Sequence, residues 1–193
     1  PDEKDKGMLI KLATELDVPV FISNGIASGD LLSRHALAAT RHEATIVVRV
    51  PGDNPCVQAS EVDKIIGLAQ NRLFGWKMLF SNIQNLQHNG YPDGIGAEVY
   101  HKRFLDWLDQ TQQDPILREH PHKWAYEHNA IWTLVAHKSF RRPEVRLDIN
   151  TQEDYELIRD VYDSLYPKNP DFGILEILEY LDGRKPSAGT EIL

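Results

Sequence analysis

A run of β-branched apolar residues at 44–50, ending at Pro51 and Gly52, is the feature that most constrains the fold of this chain. Such a run is typical of a strand buried in a sheet, most often a parallel one. Pro51 and Gly52 force a turn, so we expect Asp53 just beyond the carboxyl end of the strand. Ligands bind at that edge of open α/β sheets, and a carboxylate there can hold Mg²⁺ against a phosphate. Asp is also a common turn former, so the pattern alone leaves a purely structural role open.

Short apolar runs alternate with segments of helical spacing along much of the chain. Runs rich in β-branched and aromatic residues predict strands, and apolar residues repeating every three or four positions predict amphipathic helices. Their alternation predicts an α/β fold with three layers, a mixed sheet and right-handed crossovers. The predicted strands are 18–22, 44–50, 76–80, 95–101, 131–136 and 145–150. The predicted helices are 8–16, 31–39, 60–69, 102–110, 118–128, 151–165 and 172–182.

Two helices have recognisable first turns, and the chain has no internal linker. Ser60 to Asp63 matches an N-terminal capping pattern, and Thr151 is expected to cap the helix that follows it. We expect a single domain over residues 1–182 and a disordered tail over 183–193.

Charge and cysteine content exclude several classes of partner. The formal net charge of −8 argues against a groove for nucleic acid or a surface for anionic membranes. No apolar stretch approaches the roughly 20 residues that a membrane span needs. Cys56 is the only cysteine, so an intrachain disulfide is excluded and we expect a reducing, cytoplasmic compartment.

Arg146, Asp148 and Asn150 alternate, so they should share one face of the predicted strand 145–150. The helix that follows places Asn150 near a helix N-terminus, which favours anions. Arg146 and Asp148 would otherwise form a surface ion pair of little energetic consequence. Together with Asp53, two separated strand ends each offer oxygen ligands, as a two-carboxylate Mg²⁺ site requires.

Three segments, in this order and spacing, resemble the spore-coat polysaccharide cytidylyltransferases, which are relatives of the acylneuraminate and ketodeoxyoctonate cytidylyltransferases. The segments are 47–55, 81–99 and 146–158. The resemblance extends over about residues 1–180 and implies a nucleotide-diphosphosugar transferase fold of the glycosyltransferase A type. It implies a Mg²⁺-dependent reaction in which a sugar hydroxyl attacks the α-phosphate of CTP, releasing pyrophosphate and leaving a CMP-sugar for a surface polysaccharide.

The resemblance also implies site residues, position by position. Asp53 corresponds to the first metal carboxylate and would be catalytic, with Asp148 or Asn150 helping to hold the metal. The residues expected to border the nucleotide are Asp30, Arg34 and Arg49. The residues expected on the sugar side are Tyr91, Asp93, Glu98, Arg118, Glu119 and His120.

Three departures from the family pattern keep a second interpretation open. The basic, Gly-rich phosphate loop of the family has no counterpart in residues 1–193, so we expect an N-terminally incomplete fold. Asn150 is uncharged where the family has a carboxylate, and Gly96 stands at a position that is usually acidic. The alternative is therefore a non-catalytic domain of the same fold with a binding or assembly role. Relatives are often dimeric, so a homodimer is a further expectation.

Overall fold

The computed structural model describes residues 3–71, 75–83 and 86–184, without the side chains of residues 3–6 and 86. Within these residues the chain has an α/β fold with a mixed sheet, as the sequence predicts, and this fold contains eight α-helices and four strands where the sequence predicts seven and six. Gly183, the first residue of the predicted tail, ends the last helix, and residues 185–193 lie outside the described residues. No helix in the described ranges has the length and apolar content to span a membrane.

The sheet has the order β1-β3-β2-β4. The strands are β1 (Ile46–Arg49), β2 (Leu79–Ser81), β3 (Glu98–His101) and β4 (Ile131–Trp132). The helices are α1 (Glu3–Glu15), α2 (Leu31–Arg41), α3 (Ala59–Gln70), α4 (Lys102–Thr111), α5 (Pro115–Glu119), α6 (His122–Glu127), α7 (Gln152–Leu165) and α8 (Ile174–Gly183).

The chain divides into two compact units whose segments interleave along the sequence. Unit 1 comprises the described residues of Pro1–Val47, Gly75–Leu79 and Tyr100–Ala130. Unit 2 comprises those of Val48–Phe74, Phe80–Val99 and Ile131–Leu193. The expectation of a single domain over 1–182 stays a prediction.

Helix α2 shows how the sequence builds unit 1. Asp30 caps the helix, because its side chain accepts a hydrogen bond from the backbone N–H of Ser33 at 3.1 Å. Leu32, Ala36 and Ala39 recur at helical spacing and are buried. Helix α2 packs against α4 and α5, so one capped apolar stripe organises three helices.

The predicted strand at 18–22 is wrong. These residues form no strand, and Val20 and Ile22 are exposed. Pro19 has no N–H to donate to a sheet. The N–H of Val18 donates to the carbonyl of Ala13 at 2.8 Å as α1 ends, so it serves the helix terminus instead.

The core of unit 2 lies between α7, α8 and the segment 145–149. Ile158 and Val161 of α7 face Ile177 of α8 in one buried cluster, and Leu147 is fully buried in it. At about 25 cal/mol for each Å² of apolar surface removed from water, such side chains supply most of the local stability.

The ends of two helices test the capping predictions. Thr151 caps α7 as predicted, and the carboxylate of Asp154 accepts the Thr151 N–H in return. The predicted cap at Ser60 is wrong, because α3 begins at Ala59, and Gln58, two residues before Ser60, occupies the N-cap position without a side-chain hydrogen bond. The side-chain oxygen of Gln58 instead accepts the N–H of Ile174 at the start of α8.

Two predicted elements are interrupted. The helix predicted at 118–128 is two short helices, α5 and α6, which Pro121 separates. The segment 145–150 is not a strand of the sheet as predicted, because it forms a single parallel bridge, between Asp93 and Arg146.

Candidate functional site

Backbone hydrogen bonds in unit 2 bring three acidic residues onto neighbouring segments. The N–H of Leu147 donates to the carbonyl of Asp93 at 3.1 Å. Two residues later, the N–H of Ile149 donates to the carbonyl of Asp53 at 2.8 Å. Asp148 lies between these two pairings, so the three acidic residues form one group, which we call the carboxylate cluster.

Gly94 permits the close approach on which the carboxylate cluster depends. Its φ is +86°, and a Cβ at this position would lie 2.5 Å from the carbonyl carbon of Leu147 and 2.6 Å from the backbone nitrogen of Asp148. Glycine alone adopts this conformation without strain and leaves this space free. The glycine that follows Asp93 therefore lets the segment around Asp148 lie against it.

The carboxylate cluster concentrates negative charge. Burial raises the pKa of Asp93 above its ordinary value of 3.8, and the charge of Asp148 raises it further. Asp53 adds a weaker repulsion of the same sign. The N–H of Gly94, which donates to Asp93 Oδ1 at 2.9 Å, and the charge of Arg146 oppose the shift without cancelling it.

Asp148 is the buried member of the cluster, and its oxygens are engaged. Arg146 donates from Nε to Oδ1 at 3.2 Å and from Nη2 to Oδ2 at 2.8 Å. The amide of Asn150 also donates to Oδ2. Hydrogen bonding to Asp148 raises the pKa of the Arg146 guanidinium. Arg146, Asp148 and Asn150 thus lie on one face of their segment, as predicted, and Arg146 and Asn150 both donate hydrogen bonds to Asp148.

The oxygen donors of the cluster fit magnesium only in part. Mg²⁺ is usually held by one or two carboxylates, with water and phosphate oxygens completing its coordination. Asp53, which is exposed, and Asp93, which is half-buried, supply two such carboxylates. Asp148 does not fit while Arg146 holds both of its oxygens. Nowhere in the described residues are three or more His, Cys, Asp or Glu side chains arranged to hold a metal ion.

Two of the predicted contact residues form an ion pair in unit 2. The side chain of Glu98 is fully buried, Arg49 is half-buried, and Arg49 Nη1 lies 3.1 Å from Glu98 Oε1. The pair is part of the scaffold in the described structure. The predictions that Arg49 borders the nucleotide and Glu98 contacts the sugar stay predictions.

Tyr91 is also buried, and it belongs to a hydrogen-bond network behind the cluster. Its hydroxyl donates to Glu61 Oε2 at 2.9 Å, and Lys64 Nζ lies 2.5 Å from Glu61 Oε1. The side chain of Asn82 donates to the Glu61 carbonyl at 3.2 Å and accepts the N–H of Ala97 at 3.0 Å. Burial and the Glu61 carboxylate raise the pKa of Tyr91. The network fixes the loop on which Asp93 lies.

The packing of Gly96 explains one departure from the family pattern. A Cβ at Gly96 would lie 2.5 Å from the backbone oxygen of Asn82. This space is closed by main-chain atoms that cannot rotate away, so an acidic side chain does not fit here.

In unit 1, Arg118 is the centre of a second polar network. Its Nη2 bonds to Asp30 Oδ2 at 3.0 Å and to Asp109 Oδ1 and Ser33 Oγ at 2.5 Å each. Its Nη1 donates to the carbonyl oxygens of Asp109 and Gln112, at 3.1 and 2.7 Å. All three guanidinium nitrogens are therefore used within the protein, because Nε also bonds to Asp30.

Three further predicted residues lie in unit 1. Glu119 is exposed, and His120 is half-buried with its ring centroid 5.6 Å from that of His122. Arg34 donates to the carbonyl of Ser28 and borders a cavity of about 520 Å³, which is lined mainly by apolar side chains of α1 and of residues 19–26. Whether any of them contacts nucleotide or sugar stays a prediction.

Sequence reasoning missed two polar residues that organise these networks. Glu61 lies in the first turn of α3, where an acidic residue is ordinarily explained by the helix dipole, so nothing marked it as buried. Asp109 lies in the last turn of α4 and reaches Arg118 only because α2, α4 and α5 pack together. No local signal identifies it.

Residues 14–178 match the model of the cytidylyltransferase family. The spore coat polysaccharide biosynthesis protein SpsF of Bacillus subtilis is 29% identical over 165 residues, which cover 83% of this chain and 64% of that protein. An uncharacterized protein of Methanocaldococcus jannaschii is 24% identical over 183 residues, covering 93% of this chain and 70% of the relative. The chain thus spans about two thirds of the length of these relatives.

A solved structure of a cytidylyltransferase from Leptospira borgpetersenii has a similar fold. It superposes with a TM-score of 0.80 at 22% sequence identity, covering 94% of this chain and 73% of that one. At this identity the likeness establishes the fold.

Proposed function

This chain belongs to the cytidylyltransferase family, and from that membership we propose that it transfers CMP from CTP to a sugar or sugar acid used in a surface polysaccharide. The observation that carries the proposal is the family match over residues 14–178, within which the carboxylate cluster of unit 2 lies. The polysaccharide context comes from the name of the Bacillus relative. The cytoplasmic location and the homodimer stay predictions.

The residues of unit 2 are suited to positioning rather than to covalent chemistry. Asp53 and Asp93 would hold magnesium, with Asp148 as a further donor once Arg146 releases it. When bound, Mg²⁺ neutralises charge on the phosphate oxygens. The Tyr91 and Asn82 hydrogen bonds keep the loop of Asp93 in place. The Asp93 carboxylate would therefore already be positioned to hold the magnesium ion that balances the phosphate charge.

The proposal is tested by titrating CTP into the chain with Mg²⁺ in a calorimeter, comparing the parent with Asp53→Asn. We expect Asp53→Asn to lose roughly tenfold or more of the Mg²⁺-dependent affinity, as is usual when a metal ligand or its support is removed. The matched control is Asp63→Asn, which changes an exposed acidic residue on α3. Pyrophosphate release is then followed with acylneuraminate and ketodeoxyoctonate as acceptors.

Failure of the parent chain to bind CTP with Mg²⁺ would overturn the proposal. So would equal CTP affinity in the parent and in Asp53→Asn, because the cluster would then have no part in nucleotide binding.

Asn150 favours a second candidate function, a non-catalytic domain of the same fold that binds a nucleotide or assembles with a partner. Its amide donates to Asp148 instead of adding a negative charge to the cluster. CTP binding without pyrophosphate release from any acceptor would favour this alternative over transfer.

A further inference from the structure

Unit 1 contains a cavity of about 520 Å³, which is lined by helix α1, by the segment that follows it and by Arg34 of α2. This volume lies within the range of about 300 to 1,000 Å³ that is usual for small-molecule sites. The lining is mostly apolar, and its larger members are Leu9, Ile10, Val20, Phe21, Ile22 and Ile26. The part of α1 that lines the cavity lies before residue 14, where the family match begins, so family membership assigns no role to it.

The apolar lining of the cavity is accessible to solvent. Leu9, Val20 and Ile22 expose 54%, 45% and 43% of their surface. Clustered apolar exposure of this kind marks a site at which a protein contacts an apolar partner. A ligand that enters the cavity would remove these side chains from water, which is favourable.

Arg34 is the single charged residue among the described residues that line this cavity. It is half-buried, and its Nη1 donates to the carbonyl of Ser28 at 3.2 Å, which holds the guanidinium at the cavity border. The carboxylate of Asp30, the acidic residue closest to it along the chain, pairs with Arg118 instead. A guanidinium has further N–H donors in a planar fork that matches a carboxylate or a phosphate. Arg34 therefore keeps donors for an anion at the cavity border.

The position of Arg34 in its helix supports the same conclusion. Arg34 lies close to the N-terminus of α2, where the helix dipole favours negative charge over positive charge. Acidic residues outnumber basic ones in this chain by 29 to 21, yet none of the acidic residues that the structure describes forms an ion pair with Arg34. An anion bound to Arg34 would relieve this unfavourable placement.

We propose that the cavity binds a small amphiphile, with an acyl chain against the apolar lining and an anionic head group on Arg34. The acyl chain buries Leu9, Val20 and Ile22, and the head group accepts hydrogen bonds from the guanidinium. Free phosphate would satisfy Arg34 but would leave the apolar lining in water, so both parts of the ligand are required. This site goes beyond CMP transfer and does not depend on it.

The test is a calorimetric titration of laurate into the full chain, below the critical micelle concentration and without nucleotide or metal. We expect a single laurate to bind each chain. Dodecyltrimethylammonium has a chain of similar length but a cationic head group, so it should bind roughly tenfold or more weakly. Inorganic phosphate, which has no acyl chain, should show no binding under the same conditions. These comparisons use the parent chain alone, so they do not depend on the folding of a variant.

Two variants test the two parts of the site separately. Arg34→Gln should weaken laurate binding roughly tenfold, because it removes charge-assisted hydrogen bonds to the head group, and it should not weaken dodecyltrimethylammonium binding. Its matched control is Arg41→Gln, which removes an exposed arginine from the other end of α2. Ala13→Phe should abolish laurate binding, because the larger side chain fills part of the cavity. Its matched control is Thr14→Phe, which adds the same side chain at the next, exposed position of α1.

Equal laurate affinity in the parent and in Arg34→Gln would overturn the inference, because the head group would then have no partner. Several laurates per chain, unaffected by Ala13→Phe, would also overturn it, since they would indicate adsorption to exposed apolar side chains. Sedimentation tests a further alternative. A dimer that Leu9→Glu converts to a monomer, with no laurate binding by the parent, would assign this surface to a second copy of the chain. Laurate binding as expected by a chain that never binds CTP would support the inference and refute the proposed function.

Discussion

Asp30 in unit 1 and Asp93 in unit 2 are both half-buried acidic residues, but their surroundings shift their pKa values in opposite directions. Burial alone would raise the pKa of Asp30, yet the Ser33 N–H and the Arg118 guanidinium outweigh it and lower the pKa below 3.8. Around Asp93, burial and two neighbouring carboxylates raise the pKa. The surroundings of Asp30 supply hydrogen-bond donors to its carboxylate, whereas the surroundings of Asp93 add further negative charge.

The difference separates a network whose charges are paired by hydrogen bonds from a cluster in which like charges repel one another. Every guanidinium nitrogen of Arg118 is bonded within unit 1, so that network is complete as folded. In the carboxylate cluster, the charges of Asp148 and Asp53 repel that of Asp93, and this repulsion lowers the stability of the free protein. A cluster of this kind is a candidate for ligand binding.

Replacing Arg118 by alanine should cause the largest effect. Asp30 and Asp109 would lose their shared partner, and losing the charge-assisted hydrogen bonds of this part-buried network should cost about 2 kcal/mol. The free energy of unfolding is measured by urea denaturation. The control, Arg142→Ala, removes a surface arginine from its ion pairs and should cost much less, because surface ion pairs contribute little to stability. Equal losses in both variants would mean that the Arg118 network is no more than surface pairing.

The outline of unit 2 could be predicted from sequence because its signals are local. The run ended by Pro51 and Gly52 places Asp53 at a strand end, and period-two alternation places Asp148 on one face of its segment. That Asp93 joins them could not be predicted, since it depends on a positive φ at Gly94 and a backbone contact some 50 residues further along the chain.

The errors have similar physical causes. The apolar run at 18–22 has the composition of a strand, but Pro19 withholds a donor that a sheet requires. The family pattern predicts Arg118 on the sugar side, which stays a prediction, but its partner Asp109 was missed because Asp109 becomes a neighbour of Arg118 only when helices pack. Both the conformation of residues 18–22 and the contact between Asp109 and Arg118 depend on tertiary packing, which cannot be predicted from a short stretch of sequence.

Asp30→Asn should have the second largest effect, and its sign depends on pH. Asparagine caps helices as well as aspartate does, so the change removes mainly the charge. A lowered pKa in the folded state contributes stability above the ordinary value of 3.8, which is lost as the pH falls through the folded pKa. The variant should be less stable by roughly 1.5 kcal/mol at neutral pH, and the difference should vanish in acid.

Urea denaturation of Asp30→Asn at several pH values measures this difference. A gap between parent and variant that stays constant from neutral pH into acid would show that Asp30 acts through packing and not through its charge.

Asp93→Asn should have the smallest effect and the opposite sign. A raised pKa in the folded state contributes stability below the ordinary value of 3.8, which is lost as the pH rises through the folded pKa. At neutral pH the charge of Asp93 is therefore a cost, and its removal should stabilise the chain by roughly 0.5 kcal/mol. The side-chain oxygen of asparagine can still accept the Gly94 N–H.

Urea denaturation at neutral pH, with Asp63→Asn as the control, measures the change. A variant less stable than the parent would mean that the cluster is already balanced, and the contrast with Asp30 would disappear.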